Sequence, residues 1–142
     1  MKKLQLLLVS VAMLSIFSCS DDDDDTLGVW YRRSDFDGRA REDAAGFVIG
    51  NRGYLCGGYR GKDQREKDCW EYNIDNDWWT QCKDMPDDAT ARNGAAGFAV
   101  GSKGYVTTGY TAYKDDDPMH TGGYAYLKDT WMIIPEMRES MQ

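Results

Sequence analysis

The stretch that decides the fold is residues 44–59, AAGFVIGNRGYLCGGY, which residues 95–110 repeat without a gap as AAGFAVGSKGYVTTGY. Both copies share the Ala-Ala-Gly-Phe start, the glycine before the turn, the Gly-Tyr after it and the closing Gly-Tyr. In each copy two apolar runs flank GNRG or GSKG, a pattern that predicts an antiparallel hairpin. A repeat spacing of about 50 residues is typical of propeller blades and solenoid units. The sequence therefore predicts repeated units built on β-sheets.

The composition agrees with an all-β chain of one domain. The 142 residues include 15 glycines and are 13% aromatic, which favours strands and tight turns over helices. The formal charge is −7, and it becomes −9 once Lys2 and Lys3 are set aside with an N-terminal export signal. An acidic chain that lacks a basic patch is not expected to bind nucleic acid.

Two further strands are predicted after the first hairpin, at residues 68–73 and 78–82, and four strands per unit is the blade count of a propeller. The second unit repeats the hairpin, has a longer loop and resumes at residues 129–131. Pro135 then breaks the strand pattern before a fourth strand is reached. The second unit is therefore predicted to be incomplete.

Residues 27–36 resemble the closing strand of the first unit and are predicted as an orphan strand. In closed propellers an N-terminal strand often completes the last blade, so its partner strands are expected elsewhere. The whole chain divides as follows: a signal peptide at residues 1–18, a lipidated cysteine and acidic tether at 19–26, an orphan outer strand at 27–40, a first repeat at 41–90, an incomplete second repeat at 91–134 and a tail at 135–142.

The first unit resembles the kelch repeat. An apolar strand leads into Gly57-Gly58, and after a loop Tyr72 and Trp79 follow with six residues between them. Arg41 or Arg92 before the paired alanines is similar to kelch-like propellers of bacterial surface lipoproteins. The resemblance implies kelch-type blades of four antiparallel strands, about two of them, in an incomplete ring. The residues that carry the structural motif are Gly57, Gly58, Asp68, Trp70, Tyr72, Trp79, Gly109, Asp129 and Trp131.

The first residues of the chain predict export and lipidation. Lys2 and Lys3 precede an apolar run of signal-peptide length, too short for a comfortable membrane span. The run ends in Ile-Phe-Ser-Cys at residues 16–19, which resembles the lipobox of bacterial lipoproteins. Cys19 is therefore expected to carry the lipid, with palmitate among its acyl chains, and a plain secretory signal is the alternative.

Residues 21–25 are five consecutive aspartates, which stay solvated because such a charge block cannot pack. A flexible tether is the simplest interpretation. Acidic runs just after a lipidated cysteine also resemble the signal that sends some lipoproteins to the outer face of the outer membrane. The predicted location is therefore the outer membrane, with the domain exposed at the cell surface.

The sequence offers little catalytic chemistry, so no metal site, no cofactor and no catalytic residue is predicted. His120 is the sole histidine, which excludes the copper-radical oxidases among kelch proteins because their metal site needs two. Residues 115–117 and His120 have ligand types for a hard cation, but a solvated loop is the favoured interpretation.

Three cysteines remain after Cys19, and export permits them to form disulfides. If the turn between the third and fourth strands spans four residues, Cys69 lies opposite Cys82 within disulfide range. If it spans three, Cys69 faces Lys83 and no bond forms. The favoured expectation is thiols that pack without a disulfide.

Two classes of function stay open. The first is a non-enzymatic binding module, anchored to the membrane by lipid, with a protein or a glycan as partner. The second is a fragment of a kelch-type sugar isomerase acting on sialic acid, as the resemblance also allows. Open blade faces further suggest self-association, since large apolar patches are unusual on soluble monomers. A truncated gene product is a further interpretation of the missing blades.

The lipobox predicts that Cys19 carries the anchor. Mass spectrometry of the membrane-extracted protein is expected to show a diacylated or triacylated N-terminal cysteine, and Cys19→Ala is expected to move the protein into the soluble fraction. Cys82→Ala serves as the control that keeps the anchor. A Cys19→Ala variant that stays in the membrane fraction would contradict lipidation.

Overall fold

The computed structural model describes residues 27–113 and 123–135, and all regular structure in these ranges is β-strand. The chain separates into a unit at residues 1–32, whose described residues form no strand, and a unit at residues 33–142 that contains the sheets. In the described ranges no helix is long and apolar enough to cross a membrane. The strands are β1 (Ala45–Ile49), β2 (Arg52–Cys56), β3 (Cys69–Asn73), β4 (Trp78–Gln81), β5 (Ala96–Val100), β6 (Lys103–Thr107), β7 (Tyr110–Ala112), β8 (Tyr124–Tyr126) and β9 (Thr130–Ile133).

The first sheet is an antiparallel meander in the order β1-β2-β3-β4. Gly50 adopts a φ of 57° at the tip of the first hairpin, a left-handed conformation that glycine adopts without steric cost. Asn73 pairs with Trp78, so the turn between β3 and β4 spans the four residues 74–77. The Asn73 side chain accepts hydrogen bonds from the N–H groups of Asp75 and Asn76, which stabilises this turn.

The second sheet repeats the first three strands in the order β5-β6-β9, and β9 is its edge among the described residues. The longer loop between β6 and β9 contains a separate hairpin formed by β7 and β8. This hairpin was not predicted from the sequence. Within the described residues β9 ends at Ile133, two residues before Pro135. That the second unit is incomplete stays a prediction.

The core lies between the two sheets, where β1 packs against β5 and β6. Small residues let the backbones approach closely, and a Cβ on Gly97 would lie 2.7 Å from the Gly46 carbonyl oxygen. A Cβ on Gly104 would collide with the ring of Phe47. These contacts explain why glycine is the second residue of both β5 and β6. The fully buried apolar residues are Ala45, Phe47, Tyr54, Cys56, Cys69, Met85, Ala89 and Val106.

A disulfide joins Cys56 in β2 to Cys69 in β3, so the expectation of packed thiols without a disulfide is wrong. The two residues are direct cross-strand partners with their Cα atoms 4.1 Å apart, the short spacing of a non-hydrogen-bonded pair. The turn before β4 does span four residues, and the Cys82 N–H donates to the Cys69 carbonyl at 2.8 Å. Cys82 thus lies beside Cys69 on the other side, but the disulfide joins Cys69 to Cys56.

The second sheet has a hydrogen bond at the place of this disulfide. Thr107 in β6 and Thr130 in β9 are cross-strand partners, and their hydroxyl oxygens lie 2.7 Å apart. The disulfide and the threonine hydrogen bond each join the second strand of a sheet to its third strand. Both lie at the end of the sheet where the long loop between these strands begins. Cross-strand pairs at such positions stabilise a sheet by contacts between side chains.

The orphan strand expected at residues 27–36 is not present, since residues 27–44 contain no strand. The Ser34 N–H donates to the Asp77 carboxylate at 2.9 Å, so a side chain takes the place of a neighbouring strand as its partner. The Phe36 ring packs edge-on against Trp70 and Trp79 at centroid distances of 5.3 and 4.9 Å. Phe36 therefore covers part of the outer rings of the first sheet, and residues 33–36 do not extend any sheet.

The disulfide predicts a specific sensitivity to reductant. Replacing Cys56 and Cys69 by serine is expected to lower the free energy of unfolding by about 3 kcal/mol, because the cross-link closes a short loop in the unfolded chain. Urea denaturation with and without dithiothreitol measures the effect. The control Cys82→Ser should remain as sensitive to reductant as the wild-type chain. A wild-type midpoint that reductant does not move would show that the disulfide does not form.

Candidate functional site

Each blade contains a buried arginine at the end of the sheet where the long loop between its second and third strands begins and ends. We call this end the loop side of the blade. Arg41 donates to both carboxylate oxygens of Asp68, from Nη1 to Oδ1 and from Nη2 to Oδ2 at 2.8 Å. Its Nη1 also donates to the Gly57 carbonyl at 3.0 Å. Asp68 also accepts from the Trp70 indole N–H at 2.8 Å. The Arg41 side chain is only 2% exposed. We call this set of contacts the first clamp.

The second blade contains the same set of contacts, which we call the second clamp. Arg92 donates to the two carboxylate oxygens of Asp129 at 2.7 Å each and to the Thr108 carbonyl at 3.1 Å. Asp129 accepts from the Trp131 indole N–H at 2.6 Å. The Arg92 side chain is fully buried. In each blade the clamp thus connects the segment before the first strand with the residue before the third strand.

The clamps hold their carboxylates ionised. Hydrogen bonds from the Arg92 guanidinium lower the pKa of Asp129 to about 2, and the Trp131 indole adds to the effect. Burial on its own would raise the pKa of Asp68, but the hydrogen bonds from Arg41 and Trp70 outweigh it and lower that pKa. A buried arginine needs such a partner, since an unpaired charge in the interior is costly. The clamps are therefore structural elements.

The glycines of the motif lie beside the clamps at positions with positive φ. Gly57, Gly58 and Gly109 have φ angles of 68°, 110° and 90°. A Cβ on Gly58 would lie 2.9 Å from the Glu42 carbonyl oxygen, and a Cβ on Gly109 would lie 2.8 Å from that of Asn93. Both the backbone conformation and the close approach thus require glycine.

The aromatic residues of the motif come together in the first blade. Tyr72 and Trp79 are cross-strand partners with ring centroids 5.0 Å apart, and Trp70 lies on the same face of the sheet. The Tyr72 hydroxyl donates to Asp77 at 2.6 Å. These rings are half-buried, and the contact with Phe36 described above covers part of them. Among the described residues of the second blade, Trp131 is the equivalent of Trp70, and Asp129 is the equivalent of Asp68.

The loop side of the two blades also holds a group of tyrosines around Arg65, which we call the tyrosine cluster. The Arg65 guanidinium lies over the rings of Tyr59, Tyr110 and Tyr124 at 5.2, 5.8 and 5.5 Å from their centroids. Tyr110 further contacts Tyr124 and Tyr126 at centroid distances of 5.0 and 6.2 Å. Tyr124 is 51% exposed and Tyr126 is 82% exposed, so the cluster is open to solvent.

Hydrogen bonds fix the arginine at the centre of this cluster. Arg65 donates to the Asn93 side-chain oxygen at 2.7 Å, and Asn93 in turn donates to Asp43 at 3.3 Å. Asn93 is buried and forms a backbone bridge with Tyr110. The cluster therefore spans both blades, with Tyr59 and Arg65 from the first and Tyr110 and Tyr124 from the second. Its rigid support and exposed rings make it the best candidate for a ligand contact.

A pocket of about 470 Å³ lies beside the first clamp and is a second candidate for a site. It is polar, and Asp37, Glu66, Asp68 and Asp84 line it together with Arg39. Asp68 is already bound by Arg41, and no cluster of metal-binding side chains occurs among the described residues. The predicted lipidation residue Cys19 and the loop residues 115–117 and His120 lie outside the described residues.

Sequence reasoning missed the tyrosine cluster. Tyr59 and Tyr110 were visible as the closing residues of the repeat, but Arg65, Tyr124 and Tyr126 stand in loops of unequal length with no repeat between them. The spacing along the chain therefore carried no signal that these residues meet. The one available hint in the sequence was the presence of an arginine and several tyrosines in two long loops.

Residues 40–86 match the Kelch motif. This match spans the four strands of the first blade. Among solved structures the chain is similar to the protein in "Structure of YjhT", with a TM-score of 0.55 at 12% sequence identity. The match covers 66% of this chain and 29% of that protein, so this chain corresponds to less than a third of its length. No curated protein matches the sequence significantly. Together with the sheets, these findings confirm the predicted all-β fold of kelch-type propeller blades.

The second clamp predicts a loss of stability in acid. The pKa of Asp129 falls from its ordinary 3.8 to about 2 on folding, so its contribution is fully present above pH 4 and is lost as the pH falls toward 2. Asp129→Asn is expected to destabilise the fold at neutral pH by about 1–3 kcal/mol, because Arg92 loses its charged partner. The variant should also lose part of the acid dependence below pH 4.

Urea denaturation at a series of pH values measures both effects. Asp87→Asn is the matched control, because Asp87 is a fully exposed carboxylate near Lys67. An Asp129→Asn variant as stable as the control at neutral pH would contradict a stabilising role for the clamp.

Proposed function

We propose that this chain is a non-catalytic kelch module that binds a glycan or a protein through the tyrosine cluster. The observation that carries the proposal is a guanidinium held among three tyrosine rings at the loop side of two blades, with Tyr124 and Tyr126 exposed. Exposed tyrosines beside an arginine are the residue types enriched where proteins recognise partners. Loops on a rigid scaffold are also where binding residues concentrate.

The chemistry of the cluster favours a glycan as the first ligand to test. A tyrosine ring offers an apolar face, against which the C–H face of a sugar ring packs, and a hydroxyl that hydrogen-bonds sugar hydroxyls. Tyr110 and Tyr126 are cross-strand partners on the β7–β8 hairpin, so the strand register fixes their spacing. A protein loop with an aromatic or apolar tip is the other ligand that such a surface accommodates.

The proposal places the module at the cell surface. Cys19 carries the lipid that anchors it in the outer membrane, and the five aspartates at residues 21–25 direct it outward and separate the blades from the bilayer. An anchored module of this kind needs no cofactor and no metal to hold its ligand.

The alternative function is a fragment of a kelch-type sugar isomerase acting on sialic acid. Similarity to the fold of YjhT is compatible with both functions, because one fold supports many activities. The alternative requires that a reacting sugar be enclosed by polar groups from several blades. The two blades described here supply the open tyrosine cluster, which suits display of a ligand better than enclosure.

Substitution of the two exposed tyrosines tests the proposal. Tyr124→Ala combined with Tyr126→Ala is expected to weaken binding to the best ligand of a glycan array at least about tenfold, the loss typical of an interface hot spot. The matched control is Tyr31→Ala, which removes a tyrosine that is 78% exposed and outside the cluster. Equal binding by the double variant and the control would overturn the proposed site. NMR of sialic acid anomers with the wild-type chain tests the alternative, since accelerated interconversion would establish an enzyme.

A further inference from the structure

Each of the two sheets has the same two kinds of face. The face that is covered in the first sheet is exposed in the second. In both sheets a phenylalanine of the first strand stacks on a tyrosine of the second: Phe47 on Tyr54 at 5.2 Å, and Phe98 on Tyr105 at 5.0 Å. Phe47 is 8% exposed because the second sheet covers it, whereas Phe98 is 44% exposed. We call the side of the second sheet that carries Phe98 the phenylalanine face.

The phenylalanine face is apolar over most of its described area. It carries Val100, which is 62% exposed, and Met132, which is 51% exposed, beside the Phe98–Tyr105 stack. Lys103 at its margin is the counterpart of Arg52 in the first sheet. Contiguous apolar surface of this kind is typical of an interaction site.

The surface that covers Phe47 shows what fits such a face. That surface belongs to the second sheet, where Gly97 and Gly104 leave room for the first sheet to approach. Gly104 lies directly against the Phe47 ring, where no side chain would fit. The complementary partner of a phenylalanine face is therefore a sheet face with glycine at these two positions.

The first sheet presents a face of that kind on its outer side. Gly46 and Gly53 are the counterparts of Gly97 and Gly104, 51 residues earlier in the repeat. A Cβ on Gly46 would meet nothing closer than 3.8 Å, and the same distance holds for Gly53. Val48 between them is 59% exposed. We call this side of the first sheet the glycine face.

We propose that copies of this chain associate head to tail, with the glycine face of one copy on the phenylalanine face of the next. The contact repeats the interface between the two blades of one chain, with Gly53 against Phe98 as Gly104 lies against Phe47. Phe36 covers Trp70 and Trp79 at the β3–β4 end of this side of the sheet, whereas Val48 in β1 is 59% exposed. The part of the glycine face on the inner strands β1 and β2 therefore remains accessible among the described residues. Because the two faces differ, the contact is heterologous, and it closes into a ring where the rotation permits.

Ring closure sets the expected size of the assembly. Propellers close with about four to eight blades, so two to four copies of a two-blade chain make a ring of ordinary size. The packing of Phe47 against Gly104 would then recur at each contact between copies. The proposal is independent of the ligand at the tyrosine cluster.

The experiment combines variants that block one face each. Gly53→Arg fills the glycine face, and the open space around Gly53 lets the arginine be accommodated without disturbing the fold. Phe98→Asp places a charge on the phenylalanine face. The full chain, purified from its host in detergent micelles where it carries lipid, is examined by native mass spectrometry and sedimentation. Ser102→Arg, an added charge in an exposed turn, is the matched control.

The expected result is an oligomer for the wild-type chain and for Ser102→Arg, and a monomer for each blocked variant alone. An equal mixture of Gly53→Arg and Phe98→Asp should form a dimer and nothing larger, because each variant keeps the face that the other needs. Should near-UV circular dichroism show that Gly53→Arg is unfolded, Val48→Arg on the same face replaces it.

Three outcomes would overturn the proposal. A monomeric wild-type chain would mean that another segment or another protein covers these faces. Association that neither substitution weakens would place the contact elsewhere. Association that Phe98→Asp abolishes and Gly53→Arg leaves intact would show a symmetric contact between two phenylalanine faces.

Discussion

The interaction on which the rest of the structure depends is the pairing of a buried arginine with an aspartate at the entry of each blade. Arg41 and Arg92 leave water almost completely, and each meets a bidentate carboxylate and a backbone carbonyl that satisfy its donors. Bidentate pairing is strong and directional, so it fixes the position of the residue before the third strand relative to the start of the first. The carbonyl that each arginine binds, that of Gly57 or Thr108, stands at the start of the loop that ends at the aspartate. The clamp therefore holds the two ends of that loop together, and the loop can then vary without disturbing the sheet.

That freedom explains how the tyrosine cluster arises. The loop of the first blade contributes Tyr59 and Arg65, while the longer loop of the second blade folds into its own hairpin and contributes Tyr110 and Tyr124. Both loops leave the sheets next to a clamp, so their variable parts meet above the contact between the blades. Binding surfaces are commonly built this way, from loops of variable sequence on a rigid frame.

The repeat also explains why the blades are complementary to each other. One face of each sheet has a phenylalanine stacked on a tyrosine, and the other has two glycines at the matching positions. Because the two faces of a unit are different and complementary, units of this kind can stack on one another with all of them facing the same way. Inside the chain this property joins the two blades, and among the described residues it leaves Phe98 and Val48, one on a face of each kind, exposed. The disulfide in the first sheet and the threonine pair in the second show that side-chain chemistry varies at equivalent positions while the geometry is kept.

The sequence by itself determined the repeat, the hairpins and the four strands of the first blade, because alternation and turn residues act over a few positions and recur 51 residues apart. It also predicted Asp68, Trp70, Tyr72 and Trp79 as motif residues, and the structure has Trp70 and Tyr72 on β3 and Trp79 on β4. Only the tertiary structure decided which cysteines are linked, because Cys69 lies between Cys56 and Cys82 and strand register alone allows both pairings. It alone brought Arg65 to the tyrosines and gave Phe36 a packing role in place of a strand. Local patterns specify local hydrogen bonds, whereas contacts between long loops depend on how two blades are placed against each other.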